Sequence, residues 1–547
     1  MKFPDLSMLF IAVMAVLASC RSKQKVDLIL FHGKIYTVDS AFTTTEALAV
    51  KDGKILAVGT DAAIRASYIA ADTVDAGGKA VYPGFIDAHS HFVEYGNSLF
   101  TDSLYGSSSF EEVVRRVKDF AAAHPGLPWI IGRGWDQNRF PDKAFPENAA
   151  LNNLFPATPV ALVRVDGHAM LVNSKALELA GIRPGETLDG GLVETKNGKL
   201  TGILIDNAER LIYRAIPVVT AAQFREQMDS AQQRCFAQGL TTVTDPGLGR
   251  REIEGLDSLQ KAGLLKMRIY VMVRDSKEDL DYYLPRGPYK TDLLYVKGVK
   301  AYADGALGSR GACLLQPYGD KPGWQGFLLS NPAHFDSLAA RLAGTDWQLC
   351  THAIGDSGNR MILMVYNKYL KGKNDKRWRV EHAQVINDAD FDLFGKASVI
   401  PSVQPTHATS DMYWAIERLG PVRLKGAYAY KRLLAENGWL PLGTDFPVED
   451  ISPFKTFLAA VFRVDARGYP AGGFQPENSL TREEAIRGMT IWAARADCLE
   501  KEIGSLEPGK RADFVILDRD LMKVGAGEVL RTRVVATYCG GAPVFGR

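Results

Sequence analysis

His89 and His91 end the run Pro83-Gly84-Phe85-Ile86-Asp87-Ala88-His89-Ser90-His91, which reads as the close of a buried strand. Residues two apart on a strand project to the same side, so the two imidazoles converge on one spot. At the carboxyl end of a parallel barrel strand, where active sites are built, such a pair is half of a metal site. Taken alone, the motif fits equally well two solvated histidines on an edge strand. Further along, other apolar runs end in groups of the same kind: Lys300 stands four residues before Asp304-Gly305, and His352, His382 and Asp445 each close a run. Histidine and carboxylate ligands gathered from different strands assemble a catalytic divalent site while one position stays open for water. Asp445 has a plain alternative as a helix N-cap in Thr444-Asp445-Phe446-Pro447. Lys300 has one as an ordinary, salt-bridged lysine at a strand end.

Eight apolar segments would position these groups: 81–89, 240–245, 268–273, 296–304, 348–352, 379–382, 398–404 and 440–445. With amphipathic helices between them, expected at 224–238 and 332–342, they suggest a (β/α)8 TIM-like barrel of α/β class over residues 83–503. The gap between the first two is far longer than a βα unit needs, so residues of about 93–225 must include an inserted subdomain over the barrel mouth. Residues 26–82 alternate apolar and polar positions in short bursts, with hairpin and turn signals at Asp52-Gly53 and Gly77-Gly78. They read as a small antiparallel β unit. Strand-like runs return at 512–517 and 533–538, and neither end is large enough to bury its own core. The two are therefore expected to form one discontinuous β-sandwich, from 26–82 and 504–547.

The chain has 547 residues, 46% apolar and 23% charged, with a net charge of +2, and nothing in this balance argues for nucleic acid. Lys2 is followed by an apolar run over 6–18, too short to span a bilayer and shaped like the core of a signal peptide. It ends in Leu17-Ala18-Ser19-Cys20, which resembles the lipobox of bacterial lipoproteins, whose cysteine is lipidated. An ordinary secretory signal cleaved near Ala18 is the alternative. Either way an exported chain is expected, periplasmic or outer-membrane-associated, with residues 21–25 as a short tether and the lipid on Cys20 as its membrane partner. The other five cysteines are scattered without CxxC spacing and indicate neither a disulfide framework nor a thiolate metal site.

Six segments together resemble the amidohydrolase superfamily, and within it amidohydrolase family 3, the branch that includes N-substituted formamide deformylase-like proteins. They are 83–91, Val299-Lys300-Ala301-Tyr302-Ala303-Asp304-Gly305, Thr351-His352-Ala353-Ile354-Gly355-Asp356, Val380-Glu381-His382-Ala383-Gln384, Leu442-Gly443-Thr444-Asp445-Phe446-Pro447 and 504–513. The resemblance implies that His89, His91 and Asp445 bind a first metal and that His352 and His382 bind a second. Lys300, carboxylated on Nζ, would bridge the two, since a neutral or ammonium lysine cannot bridge cations. Without that modification the site is mononuclear. Zinc is the default, with other first-row metals open. His168, Arg310 and His407 stand at positions similar to substrate contacts of this branch, and Trp135-Asp136 in the insertion is a further candidate for the mouth. His32, His124 and His334 fall outside every motif.

The expected chemistry follows from the charges. A bound divalent metal lowers the pKa of its water, and Asp445 accepts the proton as hydroxide attacks a polarised carbonyl and then delivers it to the departing amine. The substrate class implied is a small N-acyl or N-formyl amide with a non-peptide C–N bond. The competing readings are a mononuclear deaminase or cyclic-amide hydrolase, and a non-catalytic lipoprotein that captures a small ligand in a barrel mouth. Monomer and homodimer remain open.

Overall fold

The computed structural model describes residues 23–546, so the signal-peptide and lipidation expectations at residues 1–20 lie outside the described residues. Its centre is a curled sheet of parallel strands. Their order across the sheet is Ile400–Ser402, Arg379–His382, Gln348–Ala353, Leu294–Tyr302, Arg268–Arg274, Leu240–Leu248 and Phe85–Asp87. Every residue of Gln348–Ala353 and Arg379–His382 is buried, as parallel strands covered on both faces require, which is why these runs lack a polar alternation. Helices Ala221–Ala237 and Pro332–Ala343 fall where the periodicity places them. The first carries a capping box from Thr220 and Gln223, and the second starts on Pro332 after the N-cap Asn331.

Two of the eight expected strands differ from expectation. Segment 81–89 divides at Gly84: Ala80–Pro83 belongs to another sheet and only Phe85–Asp87 joins the parallel one. A Cβ on Gly84 would lie 2.3 Å from Thr241 Oγ1, so only glycine allows the crossing. Segment 440–445 is not a strand. It makes a single parallel bridge, Leu442 to Val403, because Pro441 lacks a donor and Asp445 turns into the left-handed region at φ 65°. Its backbone still reaches both edges of the sheet. The Gly443 N–H donates to the Val403 carbonyl at 3.0 Å, and the Asp445 N–H donates to the His89 carbonyl at 2.8 Å.

Residues 102–206 form a mixed seven-stranded sheet with helix Phe110–Ala123. Its own core includes Leu104, Val117, Leu162, Leu171 and Ile203. At the chain ends, Ala47–Lys51 and Lys54–Gly59 make the expected hairpin, with Asp52 at φ 51° and Gly53 at φ 72° as a two-residue primed turn requires. The unit is not purely antiparallel, however: Gln24–Phe31 runs parallel to Tyr68–Asp75. Helix Asp61–Ser67, capped by the Thr60 side chain, completes the crossover that parallel pairing needs and that the sequence reading lacks. Gln24 and Lys25 already pair with Tyr68 and Ile69, so the strand begins inside the stretch expected as tether. A second sheet joins both chain ends, since Phe514–Leu517 pairs antiparallel with Ala80–Pro83. One buried cluster unites the two sheets, with Leu28, Leu48 and Val50 against Val81, Phe514 and Ile516.

Candidate metal centre and active site

Hydrogen bonds between main-chain groups set the site's geometry before any side chain acts. The Asp445–His89 bond and a 2.7 Å bond from the His91 N–H to the Phe446 carbonyl hold the ends of two segments together. Asp87 reinforces them, accepting from Thr444 Oγ1 at 2.7 Å, from the Thr444 N–H at 3.0 Å and from the His89 N–H at 3.2 Å. His382 and Asp445 both sit in the left-handed region, at φ 72° and 65°. Non-glycine residues adopt it at a cost of about 1–3 kcal/mol and hold it where the surroundings demand it.

From this frame the donor groups converge. Asp445 Oδ1 lies 3.1 Å from His91 Nε2 and 3.5 Å from His89 Nε2, and Asp445 Oδ2 lies 3.6 Å from His407 Nε2. The ring centroid of His382 is 4.9 Å from that of His89 and 4.5 Å from that of His352. Lys300 Nζ is 3.4 Å from His89 Nε2. Two of the imidazoles are anchored through their other nitrogen. His89 Nδ1 donates to Glu381 Oε2 at 2.6 Å, and His382 Nδ1 donates to Gln404 Oε1 at 2.8 Å. Such outer partners fix the tautomer and leave the remaining nitrogen's lone pair free for a cation.

Burial sets the charge states. It pushes the His89 imidazole down to about 4, helped by the nearby Lys300 charge and opposed by Glu381. Burial likewise holds His352 and His382 well below the usual histidine range, so all three are neutral donors. Lys300 is lowered to about 8 by burial, against the pull of Glu381 and Asp445. Burial alone would raise the Asp445 carboxyl, but the His91 contact and the facing histidines outweigh it and hold it well below the carboxylate range.

Not every residue singled out from the sequence arrives at this point. His168 lines the same cavity of about 1130 Å³, its Nδ1 donating to buried Asp206 at 2.6 Å and its ring 5.0 Å from His352. His352 also reaches the mouth, but its Nε2 faces the Gly305 carbonyl at 3.5 Å. Trp135 does not line the cavity. It is buried in the core of the 102–206 sheet, donating from Nε1 to the Leu162 carbonyl at 2.8 Å, while the neighbouring Asp136 faces the cavity. Arg310 is also held away from it, paired with Asp320 at 2.8 Å. His32, His124 and His334 lie away from the site, His334 paired with Asp275 at 2.6 Å. Glu381, Gln404 and Asp206, which hold His89, His382 and His168, are not among the residues expected from the sequence. For Glu381 a signal existed: a carboxylate between Val380 and His382 in a buried strand must have a partner.

Two sets of donors have the types and spacing to hold a metal ion: His89, His91 and Asp445, and His382, His407 and Asp445. The donors fit a cation: His91 and His89 face Asp445 Oδ1 at 3.1 Å and 3.5 Å, and His407 Nε2 is buried without a hydrogen-bond partner. A curled parallel sheet carrying imidazoles, a lysine and a carboxylate at its carboxyl ends defines the class, a metal-binding site on an amidohydrolase-type α/β fold. The chain belongs to the amidohydrolase family, whose pattern matches residues 72–545. It is 32% identical to the protein LONG AFTER FAR-RED 3 of Arabidopsis thaliana, over 95% of this chain and 91% of that one. With the N-substituted formamide deformylase of Arthrobacter pascens it shares 26% identity over 94% of this chain and 97% of that one. Among solved structures, an uncharacterised metal-dependent hydrolase of Pyrococcus horikoshii superposes with a TM-score of 0.75 at 28% identity, covering 91% of this chain and 99% of that one.

Proposed function

We propose that the protein hydrolyses the non-peptide C–N bond of a small N-acyl or N-formyl amide. The observation that carries this reading is the convergence of His91 and His89 on one Asp445 oxygen, at 3.1 Å and 3.5 Å. His89, His91 and Asp445 would hold one divalent cation, zinc by donor type, with His382, His352 and a carboxylated Lys300 towards a second. Such a cation supplies Lewis acidity, which makes water a nucleophile near neutral pH and polarises a carbonyl. Asp445 takes the proton from the attacking water and passes it to the departing amine nitrogen. Glu381 and Gln404 keep His89 and His382 in the tautomer that presents a lone pair. His168 lines the same cavity; Asp206 holds its Nδ1 and favours the charged ring, which as imidazolium can donate from Nε2 to the substrate. Burial of Lys300 supports its modification, because the neutral amine is the form that adds carbon dioxide.

The substrate class draws on likeness to the formamide deformylase, and family membership alone allows many substrates. It is tested by assaying N-formyl and N-acyl amines of graded size for amine release, with cyclic amides and aminopurines in parallel. Turnover confined to cyclic amides or aminopurines would replace the proposed class. We read residues 102–206 as the subdomain covering the mouth and the chain ends as one sandwich, in an exported lipoprotein anchored through Cys20. Among the described residues no helix is long and apolar enough to cross a membrane. Attachment would then depend on the N-terminal lipid, and Cys20→Ala should move the protein from the membrane to the soluble fraction; unchanged membrane association would exclude the anchor.

A further inference from the structure

We propose that Tyr302 is a further catalytic residue: its phenol O–H donates to the substrate's carbonyl oxygen and stabilises the negative charge that gathers there during attack. This deepens the hydrolase reading above and rests on it. Tyr302 is the last residue of strand Leu294–Tyr302, two beyond Lys300 and therefore on the same side of the sheet. It stands directly opposite His352 in the parallel register, with the ring centroids 5.5 Å apart. Lys300 Nζ lies 4.8 Å from the centre of the tyrosine ring. The side chain lines the cavity that also opens on His91, His382 and Asp445.

The hydroxyl of Tyr302 is unclaimed. Tyrosine hydroxyls in half-buried places ordinarily find a partner. Two others on the cavity wall do: Tyr105 donates to the Pro447 carbonyl and Tyr413 to Asp465. Tyr302 Oη has no hydrogen-bond partner among the described residues. Beside it stands Gly247, at φ 93°, where a Cβ would come within 3.2 Å of Oη, so the glycine leaves the hydroxyl uncrowded. His168 also approaches His352, with ring centroids 5.0 Å apart, but it comes from the 102–206 sheet. Tyr302 shares one sheet with Lys300, His352 and His382, which fixes its donor relative to the reacting carbon. In the step assigned to it, the water oxygen bonds to the carbonyl carbon and the carbonyl π pair moves onto the oxygen that faces the Tyr302 O–H. Tyr302 keeps its proton. The pair then returns as the C–N bond breaks, and the nitrogen takes the proton that Asp445 carries. A donor aimed at charge that exists only during attack raises kcat and leaves KM largely untouched.

The test compares zinc-loaded wild type with Tyr302→Phe, which keeps the ring and loses one oxygen. Zinc content and unfolding midpoint should be equal in the two, because no described residue holds that oxygen. Against the amide of the graded series that wild type cleaves fastest, Tyr302→Phe should lower kcat about 10²–10³-fold with KM unchanged. Binding of methylphosphonate, a tetrahedral oxyanion, should weaken by about tenfold or more in calorimetry, while planar acetate weakens less. Wild-type kcat and methylphosphonate affinity in Tyr302→Phe would overturn the assignment. Loss of zinc or of folding in that variant would overturn it too, since the side chain would then be structural, as would a wild type that binds no methylphosphonate. Methylphosphonate binding that depends on Tyr302, in a wild type that cleaves no amide of the series, would keep the oxyanion donor and remove the amide class instead.

Discussion

Asp445 is where the histidines of the site converge at the level of single residues. One carboxylate faces three imidazoles, from His89, His91 and His407, while its backbone is held in the left-handed region by the His89 carbonyl. Asp445→Asn keeps the shape and one oxygen but removes the proton acceptor. The expected result is a fall in kcat by about 10²–10⁴-fold with metal partly retained, read by steady-state kinetics and metal analysis on the same sample. Wild-type turnover in that variant would exclude Asp445 as the proton carrier. The residues legible from the sequence are those that close an apolar run: His382 ends a strand, His89 and His91 follow the strand Phe85–Asp87, and Asp445 ends a segment that is not a strand, yet all four side chains converge. Trp135 and Arg310 do not, because a partner set their fate, the Leu162 carbonyl for one and Asp320 for the other. Nothing local in the sequence encodes those partners.

At the scale of elements, strand Arg379–His382 serves two faces at once. His382 lies at its end beside the candidate metal-binding groups, while Arg379 and Glu381, two residues apart, share a side and are fully buried. Arg379 Nε pairs with Glu381 Oε1 at 2.7 Å and its Nη1 with Asp497 Oδ1 at 3.1 Å. Asp497 in turn accepts from Thr244 Oγ1 at 2.8 Å. Burial would raise the Glu381 carboxyl, yet the Arg379 and His89 contacts bring it down to about 2, so it is a full charge when it holds His89. Removing one partner of such a buried pair costs about 3–5 kcal/mol. Glu381→Gln and Asp497→Asn should therefore both lower the unfolding midpoint. Only Glu381→Gln should also weaken metal binding, by about 10–100-fold, since only Glu381 touches His89. Equal metal affinity in the two variants would show Glu381 to be structural alone. The apolar pattern exposes the parallel strands themselves, but this network joins residues far apart in the chain, with Glu381 lying 292 positions from His89.

Over the whole molecule, the chain ends close on each other beside the parallel sheet. Asp520 ties them: it accepts from Lys34 Nζ at 2.7 Å, from Tyr82 Oη at 2.9 Å and from Tyr36 Oη at 2.9 Å. Burial would raise the Asp520 carboxyl, but these donors outweigh it and lower it. A carboxyl lowered by folding stabilises above its unfolded pKa, and that contribution is lost as pH falls through the folded value. Asp520→Asn should thus cost about 1.5–3 kcal/mol at neutral pH, the worth of a charged hydrogen bond, and converge with wild type in acid. Urea midpoints measured down the pH scale check this; a constant gap at every pH would refute the linkage. Pairing of the two ends was legible because neither can bury a core alone, but the parallel register of Gln24–Phe31 on Tyr68–Asp75 depends on a short capped helix that the alternation conceals. Whether this scaffold holds catalytic cations is read from metal content per chain. The protein should be prepared without residues 1–20, in bicarbonate and without chelator. About two divalent ions per chain are expected, removed by chelator together with amidase activity and restored with zinc. A protein that purifies metal-free and stays so in excess zinc would contradict it.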